Sequence, residues 1–368
     1  MSTNNFLTEE EAGALVDQYI ATEDKRSFTT QDVLHSGLVP RLRDFKVRPG
    51  KVSDCIFGGE FSFGHSTYEN PPLATKDGTP LRIMVRTDRI STHDINRGKV
   101  PYKDQVLAKN HHAMRRLTQD VLGTSQFDVP GLTDTSVVIA AENLRTIPIE
   151  MVLRAYMAKS STSTSLYQAW LRKEPDFCGH AVDPHWILNG RLPYVMDTPS
   201  TKSDEHDQSL APALLIQQGL CSPDDYQRMR NAALVAFGVV SNFVNGKGLL
   251  LADTKTEHGF TRDGRLVSQD ELYTLDSSRF WLVDDYARQL ELLTQGTIAE
   301  LNPRQYSKEF AREFSKGSEQ YTDEQRRKIA VRYILGIQHL TGEPFRPDMR
   351  PRAERVVSGL QTIVEQLL

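Results

Sequence analysis

Apolar residues along this chain repeat with two different periods, and the change from one to the other divides it into segments. Leu7, Ala14, Leu15 and Ile20 fall at roughly helical spacing behind Thr8, with Glu11 three residues on, which predicts a capped helix in an N-terminal extension over residues 1–43. Between 44 and 147 short strand-like runs dominate: Cys55-Ile56-Phe57, Ile83-Met84-Val85 and Val137-Val138-Ile139, punctuated by Gly and Pro. One helical segment, near 106–122, interrupts them. Residues 148–300 mix strands and helices, including an apolar helical stretch at 226–244, and should form a larger lobe. Residues 301–368 are helical and charge-laced, with Ile329, Tyr333, Ile337 and Leu340 on one stripe ahead of Gly342 and Pro344. The pattern is that of an α+β chain without internal repeats.

At 368 residues the chain exceeds the length at which a single core usually stops growing, so two lobes with a cleft between them are expected. Its 44 basic and 48 acidic residues are interspersed, with a formal charge of -4, which argues against a nucleic-acid binder. Cys55, Cys178 and Cys221 have none of the spacings of a zinc site or a disulfide framework and read as reduced thiols. The polar, acidic start and the lack of a long apolar run point to a cytoplasmic protein with no membrane partner.

The richest chemistry lies in residues 248–281. The apolar run Leu249-Leu250-Leu251-Ala252 leads into Asp253, Lys255 and Glu257, which would share one face of a strand. Asp263-Gly264 signals a two-residue type I′ turn, and a return through Leu266-Val267 would set Asp270 directly opposite Glu257. Two bare carboxylates so placed repel unless a positive charge lies between them. A hard divalent cation would serve, and Mg²⁺ takes one or two carboxylates beside phosphate oxygens. A solvated hairpin with scattered charge is the alternative reading. Arg154 and Asp276-Ser277-Ser278-Arg279 place guanidinium groups beside hydroxyls, a combination suited to a phosphate monoester, although a helix cap or surface turn explains the Asp-Ser-Ser run equally well.

Familiar nucleotide motifs are missing. Gly98-Lys99 and Gly246-Lys247 lack the flanking residues of a Walker A loop, and Gly58-Gly59 with Gly64 is not a dinucleotide fingerprint. Glu205-His206-Asp207 diverge on any regular backbone, and His111-His112 read as a solvated pair.

Taken together, the segments from about residue 50 to 342 resemble the SAICAR synthetase family. Gly50-Lys51-Val52-Ser53-Asp54 is similar to that family's GKVRD, with Ser53 in place of Arg. Thr87-Asp88-Arg89-Ile90-Ser91-Thr92-His93-Asp94 resembles TDRISAFD, and Val100-Pro101-Tyr102-Lys103-Asp104-Gln105-Val106-Leu107 resembles IPGKGEVL with both glycines replaced. Residues 148–160 are similar to PVEFVVRGYLTGS, retaining Arg154 and Tyr156, with Ser160 or Ser161 at the serine position. Thr198-Pro199-Ser200-Thr201-Lys202 followed by Glu205-His206-Asp207 resembles TPSTKAEHD. Residues 251–259 resemble LADTKFEFG, with Asp270-Glu271 and Asp276-Ser277-Ser278-Arg279-Phe280-Trp281 matching DE and DSSRFW.

The resemblance implies a two-lobed α+β fold whose smaller lobe carries an antiparallel nucleotide-binding sheet. It implies an ATP- and Mg²⁺-dependent carbon–nitrogen ligase joining 5-amino-1-(5-phosphoribosyl)imidazole-4-carboxylate (CAIR) to L-aspartate through an acyl phosphate, in purine biosynthesis. It assigns metal to Asp253, Glu257 and Asp270, nucleotide phosphates to Lys51 and Lys103, and charge near the reacting carboxylate to Lys255. Arg154, Ser160 and Arg279 would grip the ribose 5-phosphate, and Arg89, Ser91 and Asp94 would lie near the imidazole. Lys202, Glu205, His206 and Asp207 would border the aspartate or imidazole pocket. The partners implied are these small molecules, with homo-oligomerisation left open.

Overall fold

A computed structural model describes residues 6–22, 29–63, 66–93, 95–202, 207–317 and 319–368. The chain opens with α1 (Glu9–Thr22) and α2 (Thr30–His35). At the start of α1 the Glu11 amide donates to Thr8 Oγ1 and the Thr8 amide donates to the Glu11 carboxylate, so the expected capping box is present. Strands β1 (Ser53–Phe57), β2 (Gly59–Phe63), β3 (Ser66–Asn70), β4 (Leu81–Arg86), β5 (Arg89–Thr92) and β6 (Ile95–Lys99) precede α3 (Lys103–Thr118) and β7 (Val138–Glu142).

There follow β8 (Arg145–Tyr156), α4 (Leu166–Leu171), β9 (Asp176–Phe177), β10 (His180–Ala181), β11 (Arg191–Asp197), β12 (Ser200–Thr201), α5 (Pro212–Gln217) and α6 (Pro223–Asn245). The chain continues through β13 (Leu249–Phe260), β14 (Leu266–Gln269), β15 (Ser278–Leu282), α7 (Val283–Thr294), β16 (Gln305–Tyr306), α8 (Glu309–Arg312), α9 (Asp323–Thr341) and α10 (Arg352–Leu367). Among the described residues no helix is long and apolar enough to cross a membrane.

Contacts divide the chain into two compact units, one of Met1–Ala113, Ser125–Leu144 and Ala311–Leu368, the other of Met114–Thr124 and Arg145–Phe310. The N-terminal extension, most of the strand-rich stretch and the final helices together make the first of these units. The cause is a shared core. In the first unit an antiparallel sheet of order β1-β4-β7 supplies Ile56, Ile83, Val85 and Val138, and these pack with Val33 and Leu34 of α2 and with Val356, Leu360 and Ile363 of α10. Each such side chain contributes about 1.5–3 kcal/mol when fully buried. α9 runs from a Thr322 capping box to a left-handed Gly342, as its apolar stripe and the following Gly and Pro suggest.

The second unit is built on a seven-stranded antiparallel sheet of order β11-β8-β13-β15-β16, with β12 on β8 and β14 on β13. α6, capped by Ser222, buries Tyr226, Met229, Ala233, Ala236, Phe237, Val240 and Val244 on one stripe and packs against β13 and β8. The β13–β14 turn departs from the expected type I′ form. Phe260 pairs with Leu266 and the Thr261 amide donates to Arg265 O at 3.0 Å, leaving a three-residue loop in which Gly264 alone is left-handed. The register is therefore shifted by one, and Gln269, not Asp270, lies opposite Glu257.

Candidate functional site

Strand alternation brings the charged residues together. Asp253, Lys255 and Glu257 occupy alternate positions of β13 and share a face. β8 sets Arg154 opposite Asp253 and Glu150 opposite Glu257, while β15 sets Arg279 opposite Asp253 from the other side. Directly opposed residues project to the same side of a sheet, so the whole group forms one polar surface of the second unit.

Its first end is a row of two guanidiniums around one carboxylate. Arg279 donates through Nε to Asp253 Oδ1 at 2.8 Å and through Nη2 to Oδ2, and Arg154 Nη1 donates to Oδ2 at 3.2 Å. Burial pushes the Arg154 guanidinium down from its ordinary value, with Asp253 opposing the shift. Arg154 Nε also donates to Thr198 Oγ1 at 2.9 Å, and Arg279 Nη1 donates to Lys159 O at 2.5 Å. Ser160, the next residue, is buried and its hydroxyl accepts from the Thr162 amide; Ser161 is exposed and donates to Glu309 at 3.4 Å. Two cations to one anion leave this end net positive, as an anionic phosphate requires.

The second end interleaves carboxylates with ammonium groups. Lys255 Nζ lies 2.5 Å from Glu150 Oε1 and 3.6 Å from Glu257 Oε1, and Lys202 Nζ pairs with Glu257 Oε2. Burial opposes the charge on Lys255, yet Glu150, Glu257 and Asp270 outweigh it and hold the ammonium above the ordinary lysine range. Burial lifts the Glu150 carboxyl above its ordinary value; Lys255 pulls it down, and Glu257 and Asp207 push it up. Asp270 and Asp207 thus reach this cluster electrostatically, Asp270 in spite of its shifted register.

Glu150 was missed in the sequence. A signal existed, because Glu150 and Arg154 are four apart on a strand, the same spacing as Glu257 and Asp253, and so fall on one face.

Four residues along a strand separate Asp253 from Glu257 by about 13 Å, too far to share one ion, and both oxygens of Asp253 are engaged by arginines. Among the described residues no three His, Cys, Asp or Glu side chains gather as a metal site. Glu257, Glu150 and Asp270 are the hard carboxylates of this end, of which a single Mg²⁺ would need one or two, and both oxygens of Glu257 face ammonium groups, Oε1 that of Lys255 and Oε2 that of Lys202.

In the first unit Lys51 is exposed in the turn before β1, and Ser91 is half-buried on β5. Arg89 Nη2 donates to Gly50 O at 2.7 Å and also pairs with Asp54. Lys103, the first residue of α3, is wholly buried. Asp94, Glu205 and His206 lie outside the described residues.

A family profile described as SAICAR synthetase matches residues 74–329, well over half of the chain. The chain belongs to the SAICAR synthetase family. A phosphoribosylaminoimidazole-succinocarboxamide synthase of Legionella pneumophila (strain Paris) is 31% identical over 318 residues, covering 83% of this chain and 98% of that protein. The chloroplastic enzyme of the same name from Arabidopsis thaliana is 30% identical over 301 residues, covering 79% of this chain and 70% of the relative.

The fold agrees. A SAICAR synthase from Saccharomyces cerevisiae complexed with SAICAR has a TM-score of 0.63 at 20% identity, covering 82% of this chain and 97% of that one. A SAICAR synthetase (Type-2) in complex with ADP has a TM-score of 0.56 at 20% identity, covering 82% and 100%. The chain is thus a member of an enzyme family with the α+β fold expected of SAICAR synthetases.

Proposed function

We propose that the chain condenses CAIR with L-aspartate, coupled to cleavage of ATP to ADP and phosphate. The observation that carries this reading is the two-ended face of β13. Arg154 and Arg279, held by Asp253, make a cationic end, and Lys255 among Glu150, Glu257 and Asp270 makes a reactive end. A ribotide carries a phosphate at one end and a carboxylate at the other, so both of its anionic groups find a matched partner.

A carboxylate does not condense with an amine unaided, because its oxide is too poor a leaving group. Its oxygen takes the γ-phosphoryl group of ATP with departure of ADP; the aspartate amine then attacks the acyl carbon, and phosphate leaves. Lys255, kept protonated, neutralises the carboxylate as it is phosphorylated. Arg154, Arg279 and Ser160 or Ser161 bind the ribose 5-phosphate, and Asp253 positions both guanidiniums. Glu257 and Asp270, with Glu150, would hold Mg²⁺, which supplies charge neutralisation at the transferring phosphoryl group. Lys51 meets the nucleotide phosphates, and Lys103 adds its charge from within the fold. Arg89, Ser91 and Asp94 serve the imidazole, and Lys202, Glu205, His206 and Asp207 the aspartate side.

One assay tests the reading. Phosphate release from ATP should require Mg²⁺, CAIR and L-aspartate together, with at most a slow leak when aspartate is omitted, since a ligase gains by keeping an acyl phosphate dry until the amine attacks. Full-rate ADP formation with CAIR alone would identify a kinase instead. No turnover under any combination would leave a binding protein.

A further inference from the structure

The two segments flanking the family match converge on one turn of the first unit. Leu7 exchanges two hydrogen bonds with the side chain of Gln338 on α9, 2.9 and 3.1 Å long, and the Phe345 amide donates to the same Gln338 oxygen at 3.1 Å. From there Tyr19 of α1 and Phe345 both pack edge-on against Tyr102, with ring centroids 4.8 and 6.3 Å away. Tyr102 is buried and left-handed, at φ +59°, a backbone state that a bulky side chain adopts only when its surroundings enforce it.

The next residues are held as firmly. Asp104 Oδ2 accepts from Arg355 Nη1 at 3.1 Å and lies 3.8 Å from Arg352 Nε, and Gln105 exchanges two hydrogen bonds with the backbone of Asp348.

This grip extends to the turn that carries Lys51. Tyr19 Oη donates to Asp88 Oδ2 at 3.3 Å, Arg352 Nη2 donates to Arg86 O at 2.9 Å, and the Val100 amide donates to Asp88 O at 2.8 Å. Between these anchors Thr87 gives both its amide and its hydroxyl to Val52 O at 2.8 Å, and Arg89 donates to Gly50 O. The carbonyls on either side of Lys51 are therefore tied to a short stretch, 86–89, that α1 and the start of α10 hold from two directions.

We infer that α1 and residues 343–355 form a clasp that sets the Lys51 turn for nucleotide binding, so that Tyr19, Tyr102 and Asp104 are positioning residues. The inference rests on the ligase reading only in assigning Lys51 to nucleotide phosphates. Its test is a double-mutant cycle on the full chain. Tyr19→Ala should raise the ATP KM about fivefold, more than any rise in the CAIR KM that comes through Arg89, and the increase in the ATP KM should vanish in a Lys51→Ala background, because the two changes act on one contact. Tyr102→Gly, which removes the ring while relieving the left-handed strain, should behave alike, and Tyr19→Phe, which keeps the ring contact with Tyr102 but loses the bond to Asp88, should raise the ATP KM by less than Tyr19→Ala.

Calorimetric titration with ADP reads the same cycle when turnover is absent, so a lack of ligase activity in the unsubstituted chain together with a Lys51-dependent ADP effect in the variants would overturn the ligase reading alone. Additive effects, equal increases in every KM, or an unchanged nucleotide affinity in folded Tyr19→Ala and Tyr102→Gly would overturn the clasp.

Discussion

Arg154 and Arg279 close on Asp253 from neighbouring strands, and all three side chains are nine-tenths buried or close to it. Such a row is stable because the central carboxylate offsets part of the desolvation of both guanidiniums, and its surplus positive charge is available to a ligand. A charge-assisted hydrogen bond is worth about 1.5–3 kcal/mol. Arg279→Met should therefore raise the CAIR KM about 10- to 100-fold with a smaller change in kcat, since a phosphate grip acts in ground and transition states alike. Steady-state kinetics with CAIR varied would decide it; equal losses in kcat and kcat/KM would instead place Arg279 at the reacting centre. Residue types at this site were evident from the sequence, whereas the use of Asp253 was not. Its role depends on which strands lie on either side of β13, and no local pattern encodes that.

The opposite face of β13 carries Thr254, Thr256 and His258, all buried. Thr254 shares a hydrogen bond with Ser278, but Thr256 Oγ1 and both ring nitrogens of His258 lack hydrogen-bond partners among the described residues. Burial pushes His258 down to about 4, with Glu257 pulling the other way. The neutral ring is favoured in the fold, so its contribution is complete above the ordinary value of 6.5 and is lost as pH falls toward about 4. The loss amounts to at most about 3 kcal/mol.

His258→Phe should raise stability by about 1 kcal/mol at neutral pH, by removing two unsatisfied nitrogens. It should also flatten the loss of stability between about pH 6.5 and 4. Urea unfolding at pH 7 and pH 5 measures both, and an unchanged pH slope would show that another group titrates. The strand period alone sets Thr256 and His258 on the face of β13 opposite Asp253, Lys255 and Glu257. The one-residue shift of β14 escaped the sequence because Asp263-Gly264 is compatible with two turns, and pairing across the loop selects between them.

The first unit takes its core from distant parts of the chain. α2 and α10 cover the sheet that β1, β4 and β7 form, and Gly359 lets α10 approach β7 so closely that an added Cβ would stand 2.7 and 2.8 Å from Val138 side-chain atoms. Gly359→Ala should cost about 1–3 kcal/mol by overpacking, read as a lower urea midpoint with unchanged secondary structure by circular dichroism. Retained stability would mean that the helix can shift outward. The amphipathic pattern of 352–367 shows that α10 must bury a face, but not which sheet receives it. Tyr102 and Asp104, which replace the family's glycines, find their partners in Tyr19, Phe345 and Arg355, all remote in sequence.

Period, capping residues and motif order were sufficient for the helices α1, α6 and α9, for the shared face of Asp253, Lys255 and Glu257, and for the family, because each depends on neighbours within a few positions. The pairing of Arg154 and Arg279 with Asp253, the entry of Glu150, the register of Asp270, the burial of Lys103 and the union of both ends of the chain in one unit depended on strand order and long-range packing. These are settled by which surfaces exclude water together, a property of the assembled chain that no local stretch of residues contains.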